Sequence, residues 1–119
     1  MPDPSPEAGP APVVRTTLLD QVLPSPQAVH RVEIRRITLA PDFSGGLHVH
    51  NGPVFGSIES GSAVYQVEGK EPTILRPGDV FYEPAHTRIA RFDARHDGVT
   101  FLGYFLLEAD QEAELEFPD

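Results

Sequence analysis

From His30 to Leu107 the sequence is cut into short β-like runs by residues that turn a chain, and no stretch between the cuts sustains helical periodicity. The runs are VEIRRITL (32–39), LHVH (47–50), VFGSIES (54–60), AVYQVEG (63–69), PTILR (72–76), DVFYE (79–83), TRIARFD (87–93) and VTFLGYFLL (99–107). Between them stand Pro41, Gly45-Gly46, Asn51-Gly52-Pro53, Gly61, Gly69, Pro77-Gly78, Pro84 and Asp97-Gly98. These residues supply a fixed φ, a positive φ or a side chain that closes a turn. Short strands at this spacing predict an all-β sandwich or barrel.

Two histidines, His48 and His50, lie one residue apart on the second run. Side chains at i and i+2 of a strand share a face, so this pair can offer two imidazole nitrogens to one metal ion. With these two inward, alternation on the next run turns Val54, Gly56 and Ile58 in and Phe55, Ser57 and Glu59 out. After Gly61 the inner row is Ala63, Tyr65 and Val67.

The pattern resembles the cupin superfamily. Its first motif sets two histidines one residue apart ahead of a glutamate and a closing glycine. Its second runs from a glycine through a proline to a further glycine, a histidine and an asparagine. His48 and His50 match the first histidines, Gly61 the closing glycine, and Gly78 and Pro84 the start of the second motif. The resemblance spans His48 to about Asp93, and the flanking strands extend it to most of the chain. It implies a double-stranded β-helix, the jelly-roll barrel. The departures fall at functional positions: the glutamate lands on Val54, the second-motif glycine on His86, the histidine on Ile89 and the asparagine on Asp93. Two of the four usual metal ligands are thus apolar.

Two imidazoles alone hold a divalent ion such as Fe, Mn, Ni or Zn weakly, so a third ligand is needed. His86 is the candidate. A shorter turn after Pro84 would shift the next strand and place His86, Arg88, Ala90 and Phe92 inside, instead of Ile89 and Arg91. In the alternative, His86 is a turn residue at the barrel rim. Glu83 has two readings as well: an inward acid or base of raised pKa, or a rim carboxylate paired with Arg88 or Arg91. Glu59 is expected in solvent, and His30 and His96 on the surface. Val54, Ile89 and Tyr65 are the expected ligand-binding residues of a partly apolar pocket, with Gly56 leaving space beside the histidines.

Size and charge narrow the field. A chain of 119 residues is expected to form one domain. Residues 1–12, rich in proline, read as a disordered arm, 13–107 as the barrel and 108–119 as an acidic, solvated tail. The net charge of −9 is concentrated at the two ends, which leaves the body near neutral with no basic stripe for a nucleic acid. The absence of cysteine excludes a thiol nucleophile and a thiolate site. No apolar run approaches the ~20 residues of a membrane span, and the first residues lack the segments of a signal peptide, so a cytoplasmic protein is expected. Ser57, Ser60 and Ser62 lack a nucleophile-elbow context, and no glycine loop suits a phosphate.

Two functions fit this reading. One is a binding cupin that holds a small molecule near His48 and His50 over an incomplete metal site. The other is a metal-dependent enzyme of the dioxygenase, isomerase or decarboxylase kind, with His86 as a non-standard third ligand. Outward Leu47, Val49 and Phe55, with the apolar run FLGYFLL, predict a homodimer that covers one sheet.

Overall fold

The computed structural model describes residues 12–118, so most of the proline-rich arm (1–11) and Asp119 lie outside the described residues. Seven strands follow in order: β1 (Arg31–Leu39), β2 (Val49–His50), β3 (Val54–Val67), β4 (Thr73–Leu75), β5 (Val80–Glu83), β6 (Ile89–Leu107) and β7 (Leu115–Glu116). The main sheet runs β1-β6-β3-β4, with β5 also on β3, and all its pairings are antiparallel. A second, two-stranded sheet joins β2 to β7.

Two expected breaks are bends within continuous strands. Gly61 lies inside β3 and Asp97-Gly98 inside β6, and the register between them shifts near Ser60 and again near Ala63. Bulges of this kind let long strands coil into a barrel. Gly61 has φ +74°, and a Cβ there would collide with the Gly98 carbonyl oxygen, so the bend requires glycine at the crossing.

The core follows the predicted parity. Val54, Ile58 and Ala63 are buried, and Ile58 and Ala63 join Leu75, Phe81, Phe92, Ala94, Val99 and Phe101 in one cluster. Phe92 and Phe101 have ring centroids 4.7 Å apart, and Phe81 lies 5.0 Å from Phe92 in a tilted contact. Each buried ring contributes roughly 1.5–3 kcal/mol through area removed from water. A second cluster of Val54, Phe105 and Leu107 fills the end of the barrel near β2.

The outer rows differ from expectation. Leu47, Val49, Phe55, Leu102, Tyr104 and Leu106 are half-buried within the single chain, with Phe55 stacked on Tyr82 at 5.0 Å. Exposed apolar side chains include instead Val32 and Ile34 on the outer face of edge strand β1, and Val13, Val14, Leu18 and Val22 in the segment that precedes it.

The acidic tail is also structured. From Glu112 to Phe117 acids alternate with apolar residues. Such alternation places the acids on one face of a strand and the apolar side chains on the other. Ala113 packs on the second core cluster, and Leu115 and Phe117 line the interior cavity. Asn51 fastens this strap: its Nδ2 donates to the Glu112 carbonyl (2.8 Å) and its Oδ1 accepts from the Glu114 amide (3.1 Å). Gln111 Nε2 donates to the Asn51 carbonyl at 3.0 Å.

Candidate metal centre

His50 on β2 and His48 just before it are carried into the barrel because the chain at His48 is tied to β6. The His48 amide donates to the Ile89 carbonyl at 3.0 Å, and the Ile89 amide returns a bond to His48 at 2.8 Å. Their rings meet edge to face with centroids 5.2 Å apart. The third member of the site comes from β5. Glu83 pairs directly with Val54 across β3 and β5, so both side chains leave the sheet on the same side. Glu83 Oε2 lies 2.7 Å from His50 Nε2, and Oε1 lies 3.4 Å from His48 Nε2. One ligand atom from each of His48, His50 and Glu83 falls within 4.8 Å of the others.

The site is dry. Glu83 is 4% exposed and His48 8%. Burial alone would raise the Glu83 carboxyl, but hydrogen bonds from His48 and His50 outweigh it and hold the group below the ordinary carboxylate range. Burial alone would lower His48, and the bond to Glu83 together with its charge outweighs that and raises the imidazole. His48 Nδ1 sits 3.1 Å from the Gly46 carbonyl oxygen, which can only accept, so Nδ1 carries a proton. In the neutral ring the lone pair is then on Nε2, the nitrogen that faces Glu83. A proton and a metal ion would compete for that atom.

Of the expected ligands, His48 and His50 come together and His86 stays apart from them. His86 has φ +56° in the turn after Pro84, its side chain is exposed, and it lines a separate groove beside Asn51 and Gln111. Only its amide reaches the pair, donating to the His50 carbonyl at 2.8 Å. The register shift that would turn it inward does not occur: Ile89 is fully buried and Arg88 pairs outward with Glu68. Glu83 takes the inward course, with its carboxyl held low rather than raised, and neither Arg88 nor Arg91 is its partner.

The expected ligand-binding residues also separate. Val54 lines the cavity beside the histidines. Ile89 is part of the packed interior opposite His48. Tyr65 packs against Phe81 and Phe92, and its hydroxyl donates to the Tyr82 carbonyl at 2.5 Å, away from the histidine cavity. Gly56 leaves no space near the histidines, because the Phe81 ring occupies it. As expected, Glu59 is exposed, where it pairs with Arg36 at 2.8 Å, and His30 and His96 are exposed.

Leu115 and Phe117 are among the cavity residues not evident as such from the sequence, together with Ile37, Phe43, Phe81 and Phe101. The signal for Leu115 and Phe117 was the period-two alternation in the tail, masked by its high charge.

A rolled antiparallel barrel with two histidines and a carboxylate converging in its interior defines a barrel protein with a candidate metal centre. The chain belongs to the cupin family: the cupin domain model matches residues 35–97, just over half of the chain. It is similar in fold to a cupin-like protein from Thermotoga maritima, at 23% identity and TM-score 0.61, covering 70% of this chain and 62% of that one. It is also similar to a DMSP lyase from Ruegeria pomeroyi (18%, TM-score 0.61, 70% and 42%). An oxalate oxidase in complex with the substrate analogue glycolate matches at 17% identity and TM-score 0.60, over 72% and 45% of the two chains. The chain spans less than half the length of these two enzymes. No curated protein matches the sequence. Among the described residues no helix is long and apolar enough to cross a membrane.

Proposed function

We propose that this chain is a metal-dependent cupin in which His48, His50 and Glu83 hold one divalent ion and the adjoining cavity binds a small molecule against it. The observation that carries this reading is the convergence of three ligand atoms within 4.8 Å at a buried site that opens on a cavity. The donor set fits: two imidazoles and one carboxylate suit Fe, Mn, Ni or Zn and leave coordination positions for a ligand. When bound, the ion would act as a Lewis acid on a ligand oxygen.

The chain's own residues do the positioning. The Gly46 carbonyl fixes the His48 tautomer so that Nε2 faces the site. Glu83 supplies the negative charge that the apolar Val54 lacks. The aromatic wall keeps water away, which strengthens every charge interaction inside. The fold itself does not choose a reaction, since a lyase and an oxidase share it.

A second reading rests on the hydrogen bonds from the two histidines to Glu83, which satisfy the trio without an ion. In it the chain is a binding cupin that recognises its ligand through these groups alone. Metal analysis of the purified protein separates the two: one ion per chain after dialysis supports the enzyme-like reading, and none supports the binding module.

The exposed Val32 and Ile34 support a homodimer through the β1 face.

A further inference from the structure

The cavity beside His48, His50 and Glu83 has a volume of about 290 Å³. That is at the lower end of ligand pockets, which suits a molecule of one ring or a short chain. Ile37, Leu39, Phe43, Phe92, Phe101 and Phe105 form much of its wall. The polar side chains in its lining are His48, His50 and Glu83, and these already face one another. Among the described residues no Arg or Lys lines it. Arg35 lies near, its guanidinium 4.8 Å above the Phe105 ring, but Glu33 pairs with that charge. The strap carries the opposite sign: its Glu112, Glu114 and Glu116 alternate with Ala113, Leu115 and Phe117.

Two consequences follow from charge and area. One carboxylate with two neutral imidazoles leaves a divalent ion one positive charge in excess, which favours a single anionic oxygen. A second anionic group at the far end of the ligand would be buried among aromatic rings with no cation to meet it. Leu115 and Phe117, at 47% and 63% exposed, extend the apolar wall over the mouth, where an apolar ligand body would cover them.

We propose that this site takes a small ligand with one ion-binding head and an uncharged apolar body, and that Leu115 and Phe117 of the C-terminal strap are the residues that select that body. The inference rests on the metal reading for the head and on the cavity wall for the body. A simple dicarboxylate is therefore the wrong shape of charge for this chain, whatever its fold neighbours act on.

The test uses an isosteric pair, 4-nitrobenzoate and terephthalate, which differ in charge at one end. Calorimetric titration of the zinc-loaded protein should show 4-nitrobenzoate binding at least about tenfold tighter. Phe117→Ala, and separately Leu115→Ala, should weaken 4-nitrobenzoate several-fold with zinc content unchanged. Equal or tighter binding of terephthalate overturns the proposal, as does terephthalate binding that is lost in Arg35→Gln. Binding of neither probe at millimolar concentration overturns it too. The preference belongs to the wall and should persist in metal-free protein. Preference without zinc retention therefore sinks the metal reading alone, and zinc retention without preference sinks this inference alone.

Discussion

Val54 and Glu83 are directly opposed in the antiparallel pairing of β3 with β5, and both are buried on the side that faces His48 and His50. The carboxylate that the family places on the first of these strands is absent from Val54, and a carboxylate stands on its cross-strand neighbour. Directly paired residues have Cβ atoms about 4.5–5.5 Å apart, so the charge has moved by one strand spacing without leaving the site.

That relationship predicts an exchange. Glu83→Val should abolish metal retention, because it leaves two imidazoles. Val54→Glu combined with Glu83→Val should restore much of it, since the carboxylate returns from the opposite strand. Equilibrium zinc affinity of the two variants measures this. A double variant as weak as the single one would show that the two positions are not interchangeable.

The pH dependence of stability should reverse with metal. In metal-free protein the raised His48 contributes stability that is full below its ordinary value of 6.5 and is lost as pH rises through the folded value. The lowered Glu83 contributes stability that is full above its ordinary value of 4.5 and is lost as pH falls through the folded value. The His48–Glu83 pair therefore stabilises the chelator-treated protein most between those two values. Its contribution should fall as pH rises above 6.5 and through the raised folded value of His48. With zinc present the slope should be positive over that range, because the ion needs the deprotonated imidazole. Thermal unfolding across this range with chelator or with zinc reads both slopes. A metal-free protein that gains stability up to pH 8, by the same amount as Glu83→Gln, would contradict the coupling.

Asn51→Ala removes the two side-chain hydrogen bonds that hold the strap to the strand of His50. Each such bond contributes about 0.5–1.5 kcal/mol, beside the backbone pairing of β2 with β7. Amide exchange from Glu114 to Phe117 should accelerate while β3 and β6 stay protected. Loss of protection throughout the barrel would show that the strap is part of the global fold rather than a local element.

Assembly is tested at Val32 and Ile34. A homodimer through β1 predicts a solution mass of twice 13.0 kDa at micromolar concentration, and the single mass for Val32→Asp with Ile34→Asp. A single mass for the unaltered protein would refute it.

The sequence carried the barrel well, because turn residues and two-residue alternation are local signals. The inward set Val54, Ile58 and Ala63 is buried as parity required. The third ligand was harder to read. Which of Glu83 and His86 faces the interior depends on the left-handed conformation of His86 and on the register of Ile89 against His48, and neither is set by neighbours in sequence. The pairing of the tail with β2 was hidden for a different reason. Its charge suggested a solvated end, and most of its side chains are exposed, but Leu115 and Glu116 pair with β2, and Leu115 and Phe117 line the cavity. Continuous β3 and β6 were read as pairs of strands because Gly61 and Gly98 bend a strand as readily as they end one.

The central claim is that Glu83 completes a metal site with His48 and His50. Its most direct test is the metal content of wild type, Glu83→Gln and His86→Ala, each loaded with zinc and dialysed alike. The account predicts one ion per chain in wild type and in His86→Ala, and a loss of affinity of at least about tenfold in Glu83→Gln. Retention by Glu83→Gln together with loss in His86→Ala would contradict it.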